Sequence, residues 1–442
     1  MPLKKFLKTS LPAAVDLASQ TIMWTIEAIY IGKLGAAALA GHSMAIQIVL
    51  VFFAVLLTFV VGAGLIINRH LGAREFERAN HILGQALLMA AVLSVGFALV
   101  WHFGAVHLFR LITEAETSAA RQAGSAYLRT ISYFGPLIMC NFVATGIVRA
   151  IGETRFSMRI NLLVNSLNVI LSPILIFGLF GVPRLEMRGA ALAVGCAHSI
   201  GFLLTWRLLR SGRSRLFLVY RELVAPRWEA IIALFRKGLP TTVEQMTWAL
   251  GQLVVISYAG IFSVVALGTH AVFMRIQNVL SMVYMGFGLA AMSEMGQNLG
   301  AAQHEAALSS AKTSHRAMMW FVGVVSLMLV LFAQTVIRVF TTDPAIVDLG
   351  RKAVWLFAAA QIPKAINSVL AGNLRGIGEL KWLMLITIAF VVSFEIGLNY
   401  IAIFALSWGL YGIWAVQTLD ETIRLGLNLM KFTKGDWRRC LE

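Results

Sequence analysis

A chain of 442 residues in which 59% are hydrophobic and 13% charged, with a mean hydropathy of +0.78, is not a soluble globular protein of ordinary make-up. A formal charge of +16 would suggest nucleic acid in a soluble protein; in a chain this apolar it is expected to report topology and contact with anionic membrane lipid, with no nucleic-acid partner. Three cysteines, Cys140 and Cys196 inside apolar runs and Cys440 at the tail, form neither a disulfide framework nor a metal-ligand spacing, so no metal or cofactor is expected.

Crossing about 30 Å of hydrocarbon takes about twenty residues at about 1.5 Å each. Twelve apolar runs meet that length: 10–33, 41–68, 82–108, 124–148, 157–181, 188–210, 231–260, 264–296, 315–340, 350–374, 382–406 and 410–431. The expected fold class is therefore an all-α polytopic membrane protein of twelve transmembrane helices. The opening "MPLKKFLKTSLPAAV" is basic like a signal peptide, but its apolar stretch continues to Ile31 without a small-residue cleavage site and is read as a retained first span. Basic residues gather in alternate connections: Lys4, Lys5 and Lys8, then Arg69, Arg74 and Arg78, then Arg149, Arg155 and Arg159, then the stretch from Arg207 to Lys237, then Lys431, Lys434, Arg438 and Arg439. The positive-inside rule places both termini in the cytoplasm, as an even number of spans requires.

Ionisable residues inside these runs are costly and mark function unless they reach water or a partner. In the first run Asp16, Gln20 and Glu27 lie near one helix face; Asp16, near the inner end, is expected to reach water, whereas Glu27 is deep enough to be functional. In the fifth run Asn161, Asn165, Asn168 and Ser172 share a face, a pattern that serves either cation binding or hydrogen-bonding between helices. The second half carries Glu244, Arg275, Glu294, Lys364, Glu395, Asp420 and Glu421 within or at the ends of its runs, and these must pair or be wet. Lys364 is expected to neutralise Glu244 or Glu395 as a fixed ion pair, or to act as a built-in counter-ion with which substrates compete. Arg275 and Glu294 are expected at the two ends of a long helix, and His42 and His270 in interfacial hydrogen bonds. Trp24, Trp248, Phe273, Met274, Met282 and Met285 suit either plain packing or an apolar wall for flat organic cations.

The chain also repeats itself. "LPAAVD" from Leu11 returns as "LPTTVE" from Leu239, and "ALAGH" ending at His42 returns as "ALGTH" ending at His270, both 228 positions on. "HLGAREFERA" matches "NLGAAQHEAA", and "VRAIGETRFSM" matches "LRGIGELKWLM". The expected organisation is a six-helix half over 1–210, a basic cytoplasmic linker over 211–230 and a second six-helix half over 231–442. Six spans per half give both halves the same sense across the membrane.

A proline opening the first span, an acid followed by "YIGKLGAAALAG", then "RAIGETR", "GQNLGAAQHEAA", "RGIGELK" and a final "FTKGDWRR" together resemble the multidrug and toxic compound extrusion (MATE) family over essentially the whole chain. The resemblance implies two lobes in a V-shaped antiporter that expels drugs and toxic metabolites on a proton or sodium gradient. It also implies a cation-binding role for Glu27, where the family usually has aspartate. One branch has an asparagine and an aspartate at the positions of Asn168 and Ser172; this chain keeps the amide and lacks the acid. Another branch binds sodium with an acid eight residues before the glycine equivalent to Gly372, where this chain has Lys364. Proton coupling is therefore favoured over sodium. A small-molecule substrate and a monomer are expected. The alternative from the wider superfamily is a flippase for a lipid-linked or other large amphiphile; a scaffold or channel fits the paired repeat less well. No HExxH, Walker A or CxxC pattern points to an enzyme.

Overall fold

The computed structural model describes residues 3–112 and 118–435, so Arg438, Arg439 and Cys440 lie outside the described residues. The described residues are almost entirely helical and contain no strand. The helices are α1 Leu3–Gly32, α2 Ala36–Gly72, α3 Phe76–Ile112, α4 Ser118–Ser132, α5 Gly135–Ala150, α6 Thr154–Phe177, α7 Glu186–Arg210, the short α8 Tyr220–Val224, α9 Trp228–Phe262, α10 Val264–Gly300, α11 His304–Leu331, the short α12 Ala333–Arg338, α13 Pro344–Ile377, α14 Leu380–Phe390 and α15 Gly409–Lys434. Beyond α14 the chain winds on as π-helix over Val391–Leu398 and Ile401–Ala405. The fourth expected span is a bent pair: α4 and α5 meet at 70°, where Pro136 sits in the first turn of α5 and cannot continue a hydrogen-bond ladder from α4.

Eight of these helices are long and apolar enough to cross a membrane, and nine when the bent pair counts as one. The three long helices that fall short complete the twelve spans. They are α1, α9 and α15, the helices that carry Asp16 and Glu27, Glu244, and Asp420 with Glu421 and Arg424.

The described residues divide into two compact units: Val15–Leu239, and Met1–Ala14 with Pro240–Glu442. The divisions fall inside α1 and α9, beside Pro12 and Pro240, instead of in the connection between halves. In the first unit α2 packs on α3, α4 and α5, and α7 packs on α4, α5 and α6 around Trp101, Phe109 and Tyr127. In the second, α13 packs on α10, α11 and α15, with Phe273, Phe357 and Trp414 in mutual ring contact. The basic connection is tied to α3. Gln85 donates to the carbonyls of Glu222 and Ala225 at 3.0 Å each and accepts from the Arg227 amide, while His81 bonds Glu222 at 2.5 Å.

The repeated motifs build the same turns. After α2 the chain turns through Arg74 at φ 61°, and 228 residues on, after α10, through Ala302 at φ 54°. In each turn the next residue's amide closes on a carbonyl five positions back, Glu75 on His70 and Gln303 on Asn298. Gly152 and Gly378 both take left-handed φ, 88° and 104°, between helices. The next residues, Glu153 and Glu379, have φ −81° with ψ 45° and 43°. Only glycine adopts that φ without a Cβ penalty, which explains both "IGE" triplets.

Candidate functional site

Asp16 is the most thoroughly bonded acid of the first unit. Its carboxylate is 1% exposed and accepts from Ser157 Oγ at 2.6 Å, Asn161 Nδ2 at 2.8 Å and Arg149 Nη1 at 3.1 Å. The expectation that it reaches water is thus overturned, because α5 delivers an arginine and α6 two further donors to its depth. One turn on, Ser19 donates to the Asp16 carbonyl at 2.7 Å and accepts from Asn165 Nδ2 at 2.9 Å. Asn161 and Asn165 therefore join α6 to α1 as hydrogen-bonding partners. Farther along α6, Ser172 donates to Asn168 Oδ1 at 3.3 Å, and the buried Asn168 Nδ2 has no partner. Gln20 is half-buried on α1.

Glu27 is 2% exposed, so its depth is as expected, but its surroundings differ. No hydrogen bond joins it to Asn165 or Asn168 among the described residues. Instead Tyr127 of α4 donates its hydroxyl to Glu27 Oε1 at 3.5 Å, and His42 Nε2 of α2 lies 3.7 Å from the same oxygen. The His42 and Tyr127 rings meet edge to face at 5.0 Å, and His42 Nε2 has no hydrogen-bond partner. Glu27 is eleven residues, roughly three turns or about 16 Å, beyond Asp16 along α1 and so meets α2 and α4 instead of the inner end of α6. His42 is buried beside an acid, not held at an interface. The same unit holds a cavity of about 690 Å³ lined by His102, Gln122, Arg129, Tyr133 and Arg188, none of them singled out in the sequence.

In the second unit Glu244 pairs with Arg375 of α13 at 2.7 Å, and Lys364 pairs with Glu421 of α15 at 3.2 Å. Lys364 therefore neutralises neither Glu244 nor Glu395. The reason is depth: Glu244 lies one turn past Pro240, whereas Lys364 is eleven residues before Arg375, about 16 Å farther along α13. Asn367 donates to Glu421 Oε2 at 3.2 Å and accepts from Asn428, which in turn accepts from Trp382 Nε1. Arg424 holds Asp420 through Nη2 at 2.8 and 2.9 Å and lies over the Phe390 ring. Lys364 Nζ is 6.0 Å from the centre of the Trp248 ring. Glu395, in the π-helical segment, is 2% exposed. Arg275 is exposed and Glu294 half-buried on α10, in neither cluster.

Sequence reasoning missed Arg149, Ser157, Tyr127, Arg375, Asn367, Arg424 and Asn428, and it expected His42 in an interfacial hydrogen bond and not beside Glu27. One signal was present: Asp16 and Glu244 are 228 apart and Arg149 and Arg375 are 226 apart, so the repeat duplicates the whole ion pair.

A twelve-span helical chain with a duplicated half and buried ionisable clusters is a membrane transporter. The MatE family model matches residues 12–174 and again 240–401, its two matches starting at Pro12 and Pro240, and the chain belongs to that family. It is 26% identical over 442 residues to "Probable multidrug resistance protein NorM" of Thermotoga maritima, covering 99% of this chain and 93% of that one. It is 24% identical over 371 residues to the FAD transporter of Shewanella oneidensis, covering 84% and 81%. Its fold matches that of a crystal structure of MATE in the straight conformation with a TM-score of 0.89 at 21% identity, over 98% of this chain and 96% of that one. It also matches a MOP superfamily transporter from Pyrococcus furiosus with a TM-score of 0.87 at 21% identity, over 98% and 95%.

Proposed function

We propose that the protein is a secondary active antiporter of the cell inner membrane, with both termini cytoplasmic. It exports organic cations, drugs or toxic metabolites in exchange for protons by alternating access. Family membership and the multidrug relatives support the class. The observation that carries the coupling is Glu27: a buried carboxyl with no lysine or arginine partner among the described residues, beside the His42 ring and the Tyr127 hydroxyl. A sodium ion prefers several oxygen ligands, and Glu27 has the Tyr127 hydroxyl as its one hydrogen-bonding oxygen neighbour. The Lys364–Glu421 pair serves as a structural or substrate-gated ion pair.

Ethidium efflux from proteoliposomes under separately imposed proton and sodium gradients tests this reading. A proton gradient should drive export, and Glu27→Gln should abolish it while ethidium binding remains measurable. Export driven by an inward sodium gradient at equal pH, or unchanged export in the glutamine variant, would refute it.

A further inference from the structure

Among the described residues Glu395 is the one acid of the α13–α15 cluster that forms no salt bridge. Three carboxylates and two cations face one another there: Glu395 on the π-helical continuation of α14, Asp420, Glu421 and Arg424 on α15, and Lys364 on α13. Arg424 is bound to Asp420 and Lys364 to Glu421, so those four charges cancel in pairs. Glu395 remains. It is 2% exposed and neither carboxyl oxygen has a hydrogen-bond partner. Its neighbour one turn on, Asn399, donates its amide to the Glu395 backbone carbonyl at 3.1 Å and offers the carboxyl no donor. From α9 the approach is made at Gly251, where a methyl group would meet Oε2; the glycine leaves room for the carboxyl and supplies no charge.

We propose that Glu395 is a second exchangeable proton site, in the other half of the molecule from Glu27. The inference rests on the reading of the protein as a proton-coupled antiporter and gives that reading a second titrating group. An ionised Glu395 would be a buried carboxylate with no hydrogen-bond donor and no cation of its own, since Lys364 and Arg424 are already paired with Glu421 and Asp420; one proton removes the charge and restores neutrality to the five-residue cluster. Sodium is poorly served there. Both Asp420 oxygens bind Arg424, Glu421 Oε1 binds Lys364 and Oε2 binds Asn367, which leaves Asn399 Oδ1 as the free oxygen identified near the carboxyl. A hard cation needs about six oxygen ligands. The π-helical winding at Val391–Leu398 is the other mark of the site, since such windings gather where a helix is shaped for function over regularity.

Infrared spectroscopy of the purified protein at neutral pH tests the proposal without any transported substrate. The carbonyl-stretch band of a protonated, weakly hydrogen-bonded carboxyl should disappear in Glu395→Gln, persist in Glu27→Gln and persist, shifted, in Glu395→Asp, which keeps the carboxyl should the glutamine variant fold poorly. Replacing potassium chloride with sodium chloride should leave it unchanged. In proteoliposomes the protons moved per ethidium should fall about twofold in Glu395→Gln and stay unchanged in Glu395→Asp, which retains an exchangeable carboxyl. A band indifferent to Glu395→Gln, a band bleached by sodium, or an unchanged ratio in Glu395→Gln overturns the proposal. Continued export by Glu27→Gln overturns the Glu27 reading instead and leaves the Glu395 band where it is.

Discussion

In the first half His42 faces the carboxyl of Glu27; in the second, His270, its counterpart 228 residues on, lies against the ring of Trp414 at 5.6 Å with both nitrogens unpartnered. The residue 228 positions after Glu27 is Val255, part of a small apolar core. The histidine was duplicated and the acid was not. The ion pairs show the reverse: Asp16–Arg149 and Glu244–Arg375 recur, yet the two donors that complete the first, Ser157 and Asn161, correspond at the 226-residue offset to Leu383 and Thr387. Glu244 Oε2 accordingly has no partner. The repeat therefore preserves the ion pairs, whereas the buried acids Glu27 and Glu395 each occur in one half alone.

The largest expected effect breaks or sustains this view of the ion pairs. Asp16→Ala strands a largely buried arginine and two donors, and should destabilise the protein by about 3 kcal/mol in detergent unfolding. Glu244→Ala removes a more exposed pair with one idle oxygen and should cost clearly less. Equal costs, measured side by side, would show that Ser157 and Asn161 contribute nothing.

The histidines give the next effect. His42→Ala should lower proton-driven export by roughly tenfold or more and move its pH dependence if the ring beside Glu27 serves the proposed coupling. His270→Ala removes a ring packed on Trp414 and should alter stability while leaving the pH profile in place. A shifted profile in the His270 variant would show that the second histidine also takes part.

The architecture was legible because it is written in redundant signals. Twelve apolar runs, basic alternate connections and two proline-led repeats each point to the same chain path, and small errors at helix ends do not disturb it. The site was legible only in residue type. Depth and polarity mark Glu27, Lys364 and Glu395, but which cation meets which acid depends on how far along neighbouring helices each residue lies. One turn is about 5.4 Å, more than the reach of a salt bridge. Lys364 therefore meets Glu421 in place of the expected Glu244 or Glu395, and Asp16, expected to reach water from its place near the inner end, meets an arginine 133 residues away. The duplicated acid–arginine spacing held the answer for Asp16; the repeat marks His42 without naming its acid, and nothing marks Tyr127.

A smaller effect probes the duplicated turns. Arg74 and Ala302 occupy left-handed conformations that suit glycine. Arg74→Gly and Ala302→Gly should each stabilise by about 0.5–1 kcal/mol, the relief of strain exceeding the entropy lost by glycine. Opposite signs in thermal unfolding would break the equivalence of the turns.

The smallest expected effect separates those same turns by their charges. Glu75 accepts from His70 at 2.6 Å and from Arg78 at 3.0 Å, and the His70 hydrogen bond, ahead of the arginine charge, holds its carboxyl below the usual glutamate range. The counterparts 228 residues on are Asn298, Gln303 and Ala306, which cannot repeat the arrangement. A depressed folded value means that the stabilisation is present above the ordinary glutamate range and is lost as pH falls through the folded value. Glu75→Gln should therefore flatten the acid limb of the stability profile slightly and leave neutral-pH export unchanged, whereas Gln303→Leu should leave that limb as it is. An acid limb insensitive to Glu75→Gln would mean that water screens this surface pair completely, and that the two turns differ in sequence without differing in energetics.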